Sequence, residues 1–184
     1  PDKAKKNNEK FSRVALYSVK SGLQSMQRYL FAVSGVMTLL YKFNYKDKWT
    51  KGDNFINRYD DGDLGGQPYI MLSHSAEPKS EIYRDYKVTA GKFKRFILDY
   101  KILTYNQRNG KCRVIVQLLN DKNVVQSYDS GLLGNYQEEK WIAQQVADSL
   151  PPDVAIIRFK IVVHGDIDGN ALAFKDINIK VGGD

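Results

Sequence analysis

A single cysteine stands among the 184 residues, so no intramolecular disulfide can form. Cys112 lies in the apolar run CRVIVQLL, where a buried, inert thiol is expected. Histidine is nearly as scarce: His74 and His164 are far apart in the chain. There is no Gly-x-Ser-x-Gly elbow, no His-Glu-x-x-His helix and no phosphate loop, which removes the common hydrolase, metalloprotease and nucleotide-binding signatures. Glu138 and Glu139 are adjacent, so in a strand they point to opposite faces and make no facing acid pair. A protein that does no chemistry is expected. No run of eighteen apolar residues occurs, and the basic N-terminus leads into an amphipathic segment instead of an apolar signal core, so neither a membrane span nor a signal peptide is expected. Beginning at Pro1, the sequence reads as a processed or truncated product.

What the chain does have is 42% hydrophobic residues and a formal charge of +7, unevenly spread. Residues 1–34 carry Lys3, Lys5, Lys6, Lys10, Arg13, Lys20 and Arg28 against Asp2 and Glu9. The remainder mixes both signs without a basic face interleaved with aromatics, so nucleic acid is not the expected partner. Residues 1–10 are polar and aperiodic, and read as a flexible basic tail that is solvated or docked on an acidic partner.

Over 11–34 the pattern becomes helical. Leu16, Val19, Leu23, Met26, Leu30 and Val33 recur at alternating spacings of three and four, and Ser34 and Gly35 end the segment. Two readings fit this short seam. One is an amphipathic helix packed on its own domain; the other is a small parallel bundle, a trimer favoured, that joins copies of the C-terminal domain.

From residue 35 to 184 the period falls to two. MTLLYKFNY places Met37, Leu39, Tyr41, Phe43 and Tyr45 on one face, and similar runs follow at 68–74, 82–88, 94–105, 112–120, 124–130, 140–147, 154–164 and 172–181. No helical stretch separates them, which excludes βαβ crossovers. Eight or nine antiparallel strands must therefore fold into a sandwich or barrel, and a jelly-roll sandwich suits this length. Asn109-Gly110 predicts a tight hairpin, LNDKNVV another short turn, and HGDIDGN, with Asp166 and Asp168, a further hairpin loop. In the closing strands Ala155, Ile157, Phe159, Ile161 and Val163 share one face, as do Ile177, Ile179 and Val181, and Trp141 is expected to seal the core they form.

Residues 46–68, KDKWTKGDNFINRYDDGDLGGQP, form the one long loop, and long loops in compact domains tend to carry function. Asp60, Asp61 and Asp63 lack the twelve-residue frame and terminal glutamate of an EF-hand, so a polar turn is the expectation there. A sugar site needs exposed aromatic planes with amide or charged neighbours for the hydroxyls. The candidates are Trp49 and Tyr59 on the loop and Tyr105, Gln117, Tyr128 and Tyr136 on strands and their ends, with Trp49 foremost.

Several segments together resemble carbohydrate-binding modules of the family 4/9 type, over roughly residues 49–182. KVTAGKFKRFILDYKIL is similar to the family's strand entry, with Ala90-Gly91-Lys92 as the turn; GGQPYIMLSH resembles its glycine-marked strand. Trp141, LPPDVAIIRF and AFKDINI resemble its ending. The resemblance implies a β-sandwich that binds polysaccharide or acts as a structural relative, often with a calcium ion to which Asp176 is the matching ligand. Here the family's usual Asp-Asp pair is Lys175-Asp176, and a helix stands where an N-terminal strand would supply another ligand. No other cofactor is implied. Tail, helix and sandwich together read as anchor, stalk and displayed head: a homo-oligomeric subunit of a phage fibre, appendage or decoration, located on the virion or outside the cell. The alternative is a polysaccharide-binding module of a secreted glycoside hydrolase.

Overall fold

The computed structural model describes residues 22–33, 35–73 and 80–183. The 1–10 tail, Leu16, Val19, the Leu23 side chain and His74 lie outside them. The chain runs α1 (Gly22–Val33), β1 (Thr38–Tyr41), β2 (Ile56–Tyr59), β3 (Tyr69–Leu72), β4 (Glu81–Lys87), β5 (Arg95–Thr104), β6 (Cys112–Asn120), β7 (Asn123–Asp129), β8 (Ile142–Ser149), β9 (Val154–Val163) and β10 (Leu172–Gly182). All pairings are antiparallel and form two sheets. The larger is ordered β2-β3-β10-β5-β8, with β1 also on β10; the smaller is β4-β9-β6-β7. This is the jelly-roll β-sandwich that the alternating pattern predicts, with one short strand more than the count expected.

The inner faces are apolar because the period of two puts every second residue there. Phe96, Leu98, Tyr100 and Ile102 of β5 meet Val114, Val116 and Leu118 of β6 and Ile157, Phe159, Ile161 and Val163 of β9. Tyr128 of β7 and Asp148 of β8 bridge the sheets: the phenol donates to the carboxylate at 2.6 Å, and each residue is 1% exposed.

Three expectations need correction. The Asn109-Gly110 and HGDIDGN turns are not hairpins, because β5 and β10 belong to the larger sheet while β6 and β9 belong to the smaller. Asn109 does adopt the left-handed conformation (φ +56°), but it turns the chain from one sheet to the other. The alternation from Met37 to Tyr45 gives only the four residues of β1, whose register on β10 shifts between Leu39 and Tyr41. The 46–68 loop contains the edge strand β2, whose Arg58 points inward and donates to Asp53 at 2.7 Å.

Helix α1 packs on its own sandwich. Tyr29 and Ala32 are buried against Ile97 and Ala147 on the outside of the larger sheet, with Val33 and Met37 beside them. The buried face is thus centred on Tyr29 and Ala32 and not on the heptad positions: Leu30 is 53% exposed, Met26 and Val33 half-buried. Arg95 locks the joint from beneath, its guanidinium donating to the Val36 carbonyl and the Met37 sulfur at 3.2 Å each.

Candidate functional site

The outer face of the larger sheet is in part covered by α1 and in part open. The open part is built on register. Tyr59 of β2 stands opposite Tyr69 of β3, Lys175 of β10 opposite Lys101 of β5, and Lys101 opposite Ala143 of β8. Each of these residues has the odd parity that faces outward, so their side chains form one row across the strands.

β10 changes phase within this row. Its core residues are Phe174 and then Ile177, three apart where alternation requires two. The register accordingly jumps from Lys175↔Lys101 to Asn178↔Asp99, leaving Asp176 and Ile177 opposite Tyr100 alone. Asp176 absorbs the extra residue in the left-handed region, at φ +53°. Such a bulge re-aims side chains, and here Asp176 meets Lys101 with an N···O distance of 3.1 Å.

The aromatic end of the row is ordered by its neighbours. Tyr59 stacks on Tyr69 with ring centres 5.2 Å apart and planes at 14°, and Asn170 donates to the Tyr59 hydroxyl at 2.7 Å. Asn57 in turn donates to Asn170 at 2.9 Å. Tyr69 is buried and its hydroxyl reaches Asp61 at 3.3 Å; burial, then the Asp61 charge, pushes it up to about 12. Trp141 meets Tyr69 edge-on, and its indole donates to the Leu64 carbonyl at 3.2 Å. Tyr59, Tyr105, Leu64 and Trp141 are only partly buried around the Tyr69, Met71, Leu103 and Ala173 floor.

Beyond the aromatics the face is polar. Gln145 donates to Asp99 at 2.8 Å, and Asn178 accepts from the Phe43 amide at 2.9 Å. Two hollows meet at Asp176: one of about 550 Å³ beside Lys42, Asn44, Tyr45 and Gln67, another of about 260 Å³ beside Asp99, Lys101, Ala143 and Asn178. Aromatic rings next to amides and carboxylates are the side chains that stack on sugar rings and bond their hydroxyls.

The residues singled out in the sequence are distributed unequally. Tyr59 and Tyr105 lie on this face, and the Arg108 guanidinium stands 5.2 Å from the centre of the Tyr105 ring. Trp49 does not: its ring is 7% exposed and meets Phe159 edge-on in the core, so it presents no plane to a ligand. Tyr128 is the buried bridge to Asp148 and likewise presents none. Gln117 faces the opposite side of the molecule on β6, next to Arg158, with its Oε1 buried and without a hydrogen-bond partner. Arg158 there is held bidentate by Asp85 (2.7 and 3.0 Å) over the Tyr83 ring. Tyr136 is half-buried in the β7–β8 connection, where its carbonyl accepts from Asn106. Trp141, expected to seal the core, instead joins the open outer face.

The donor set around Asp176 does not fit the calcium implied by the resemblance. Calcium takes six to eight oxygen ligands. The Asp176 carboxylate is paired with the Lys101 ammonium, and no group of three or more His, Cys, Asp and Glu gathers among the described residues. Asp60 and Asp61 serve instead as acceptors for the hydroxyls of Tyr45 and Tyr69. Cys112 is buried, which pushes its thiol far up and leaves it inert. No helix among the described residues is long and apolar enough to cross a membrane.

No family model matches the chain, and no curated protein matches it in sequence. Solved structures resemble it in fold. The CBM22-1 xylan-binding domain from Paenibacillus barcinonensis Xyn10C aligns with TM-score 0.52 at 10% identity, covering 83% of this chain and 99% of that one. The CBM22-1-GH10 modules of Clostridium thermocellum endo-1,4-beta-D-xylanase 10B, complexed with xylohexaose, align with TM-score 0.53 at 13% identity, covering 79% and 29%. The enzymatically active domain of bacteriophage CBA120 tailspike protein 4 aligns with TM-score 0.51 at 15% identity, covering 90% of this chain but only 21% of that one. The chain therefore has the β-sandwich fold of the carbohydrate-binding modules, and it spans a minor part of the xylanase and tailspike structures.

Proposed function

We propose that this chain is a non-catalytic glycan-binding protein that holds an extended polysaccharide across the open outer face of its larger sheet. The observation that carries the reading is the row running from Tyr59 and Tyr69 past Trp141, Lys175 and Lys101 to Ala143, with polar groups along its flank. The fold shared with xylan-binding modules supports it. A glycan array followed by titration of the bound polymer tests it. Tyr59→Ala and Trp141→Ala are each expected to weaken binding about tenfold, the effect of losing ~1.4 kcal/mol. Binding that is unchanged in both variants counts against it.

The wider setting is an appendage, fibre or decoration subunit of a phage particle, acting on the virion or outside the cell. Likeness to a tailspike domain over 90% of the chain supports this, as do the exposed Leu30, Phe31 and Val36 around α1, which suit contact with a second copy or a larger assembly. Likeness to the modules of a xylanase and to a xylan-binding domain supports the alternative, a module of a secreted glycoside hydrolase. Mass in solution separates them: a trimer lost on Leu23→Asp and Leu30→Asp favours the first, a monomer indifferent to both the second.

A further inference from the structure

Lys175 is 6% exposed, yet it makes no ion pair of its own among the described residues. Its ammonium stands 4.4 Å from the centre of the Trp141 ring. Gly65 lies beside it: a Cβ there would come within 3.3 Å of the nitrogen. The Trp141 indole holds that loop through the Leu64 carbonyl. The residue directly opposite on β5 is a second cation, Lys101, and the one neighbouring carboxylate, Asp176, is bound to Lys101. Like charges directly opposite on adjacent strands destabilise a sheet, and a desolvated cation without a counter-ion is costly. Burial and the Lys101 charge accordingly pull the Lys175 ammonium down from its ordinary value, against the pull of Asp176.

Lys175 is thus the cation of this cluster without a counter-ion, since Asp176 is held by Lys101 and Asp99 accepts from Gln145, and it stands beside a tryptophan in the middle of the aromatic row. We infer that the polysaccharide held on this face is an acidic one, and that a sugar carboxylate completes the Lys175–Lys101–Asp176 cluster while its ring lies against Trp141. The inference rests on the glycan-binding reading and names the chemical class of its ligand.

The test uses polygalacturonate, alginate and hyaluronate, each paired with its carboxyl-reduced form, titrated against the full chain and its Lys175→Met variant. Carboxyl reduction of the bound polymer is expected to weaken binding to the parent at least about tenfold, and to change binding to Lys175→Met by no more than about twofold. A melting temperature at or above that of the parent shows that the variant is folded. Equal binding of acidic and reduced polymers, or a preference that survives Lys175→Met, overturns the inference and leaves the glycan face standing. Failure of every acidic and neutral polymer to bind overturns both.

Discussion

Trp49 meets Phe159 edge-on with ring centres 5.9 Å apart, inside the core. The other tryptophan, Trp141, is half-buried on the outer face with its indole on the Leu64 carbonyl. The two therefore report different places. A Trp141→Phe variant, in which Trp49 is the only emitter, is expected to fluoresce at short wavelength and resist iodide quenching. A Trp49→Phe variant is expected to be quenched, and to respond to a bound glycan. Equal quenching of the two variants contradicts the assignment.

The Tyr128 to Asp148 hydrogen bond is a polar contact that crosses the sandwich between buried side chains. Removing the phenol hydroxyl leaves a buried carboxylate short of one donor, at a cost of about 1–3 kcal/mol. Urea denaturation of Tyr128→Phe is expected to show that loss with an unchanged slope. Glycan affinity is expected to stay at the parent value, since Tyr128 lies far from the open face. A Tyr128→Phe midpoint equal to the parent's contradicts the bridge.

Lys175 carries a stability cost that depends on pH. Its ionised form is disfavoured in the fold, so the unfolded chain binds this proton more tightly. The cost is full at neutral pH and fades as pH rises towards the ordinary value of 10.5. Lys175→Met is therefore expected to melt about 2–4 °C above the parent at pH 7, the shift that ~1 kcal/mol gives at this chain length. The gap narrows as pH approaches 10. A variant that melts below the parent at pH 7 shows that Lys175 is paired.

Strand periodicity made the sandwich legible. Ile157, Phe159, Ile161 and Val163 face the core as their alternation requires, and so do Ile177, Ile179 and Val181. Sheet membership was not legible, because a turn such as Asn109-Gly110 looks alike whether it closes a hairpin or carries the chain to the other sheet. Of the site, Tyr59 and Tyr105 were legible as aromatics. The two tryptophans could not be told apart, since a loop label says nothing of whether a ring turns inward. One signal was present and decides much: the three-residue step from Phe174 to Ile177 demands a bulge, and that bulge sets Asp176 against Lys101 beside Lys175. Spacing identified a helix but not which face it buries, and the sheet took Tyr29 and Ala32 in place of Leu30.

The larger sheet's outer face is tested most directly by calorimetric titration of one polysaccharide, chosen from the array, into the parent, Tyr59→Ala, Trp141→Ala and Gln117→Ala. Affinity is expected to fall about tenfold in each of the first two variants and to remain unchanged in Gln117→Ala, whose side chain lies on the opposite sheet. Loss of binding in Gln117→Ala, with Tyr59→Ala and Trp141→Ala at parent affinity, contradicts it.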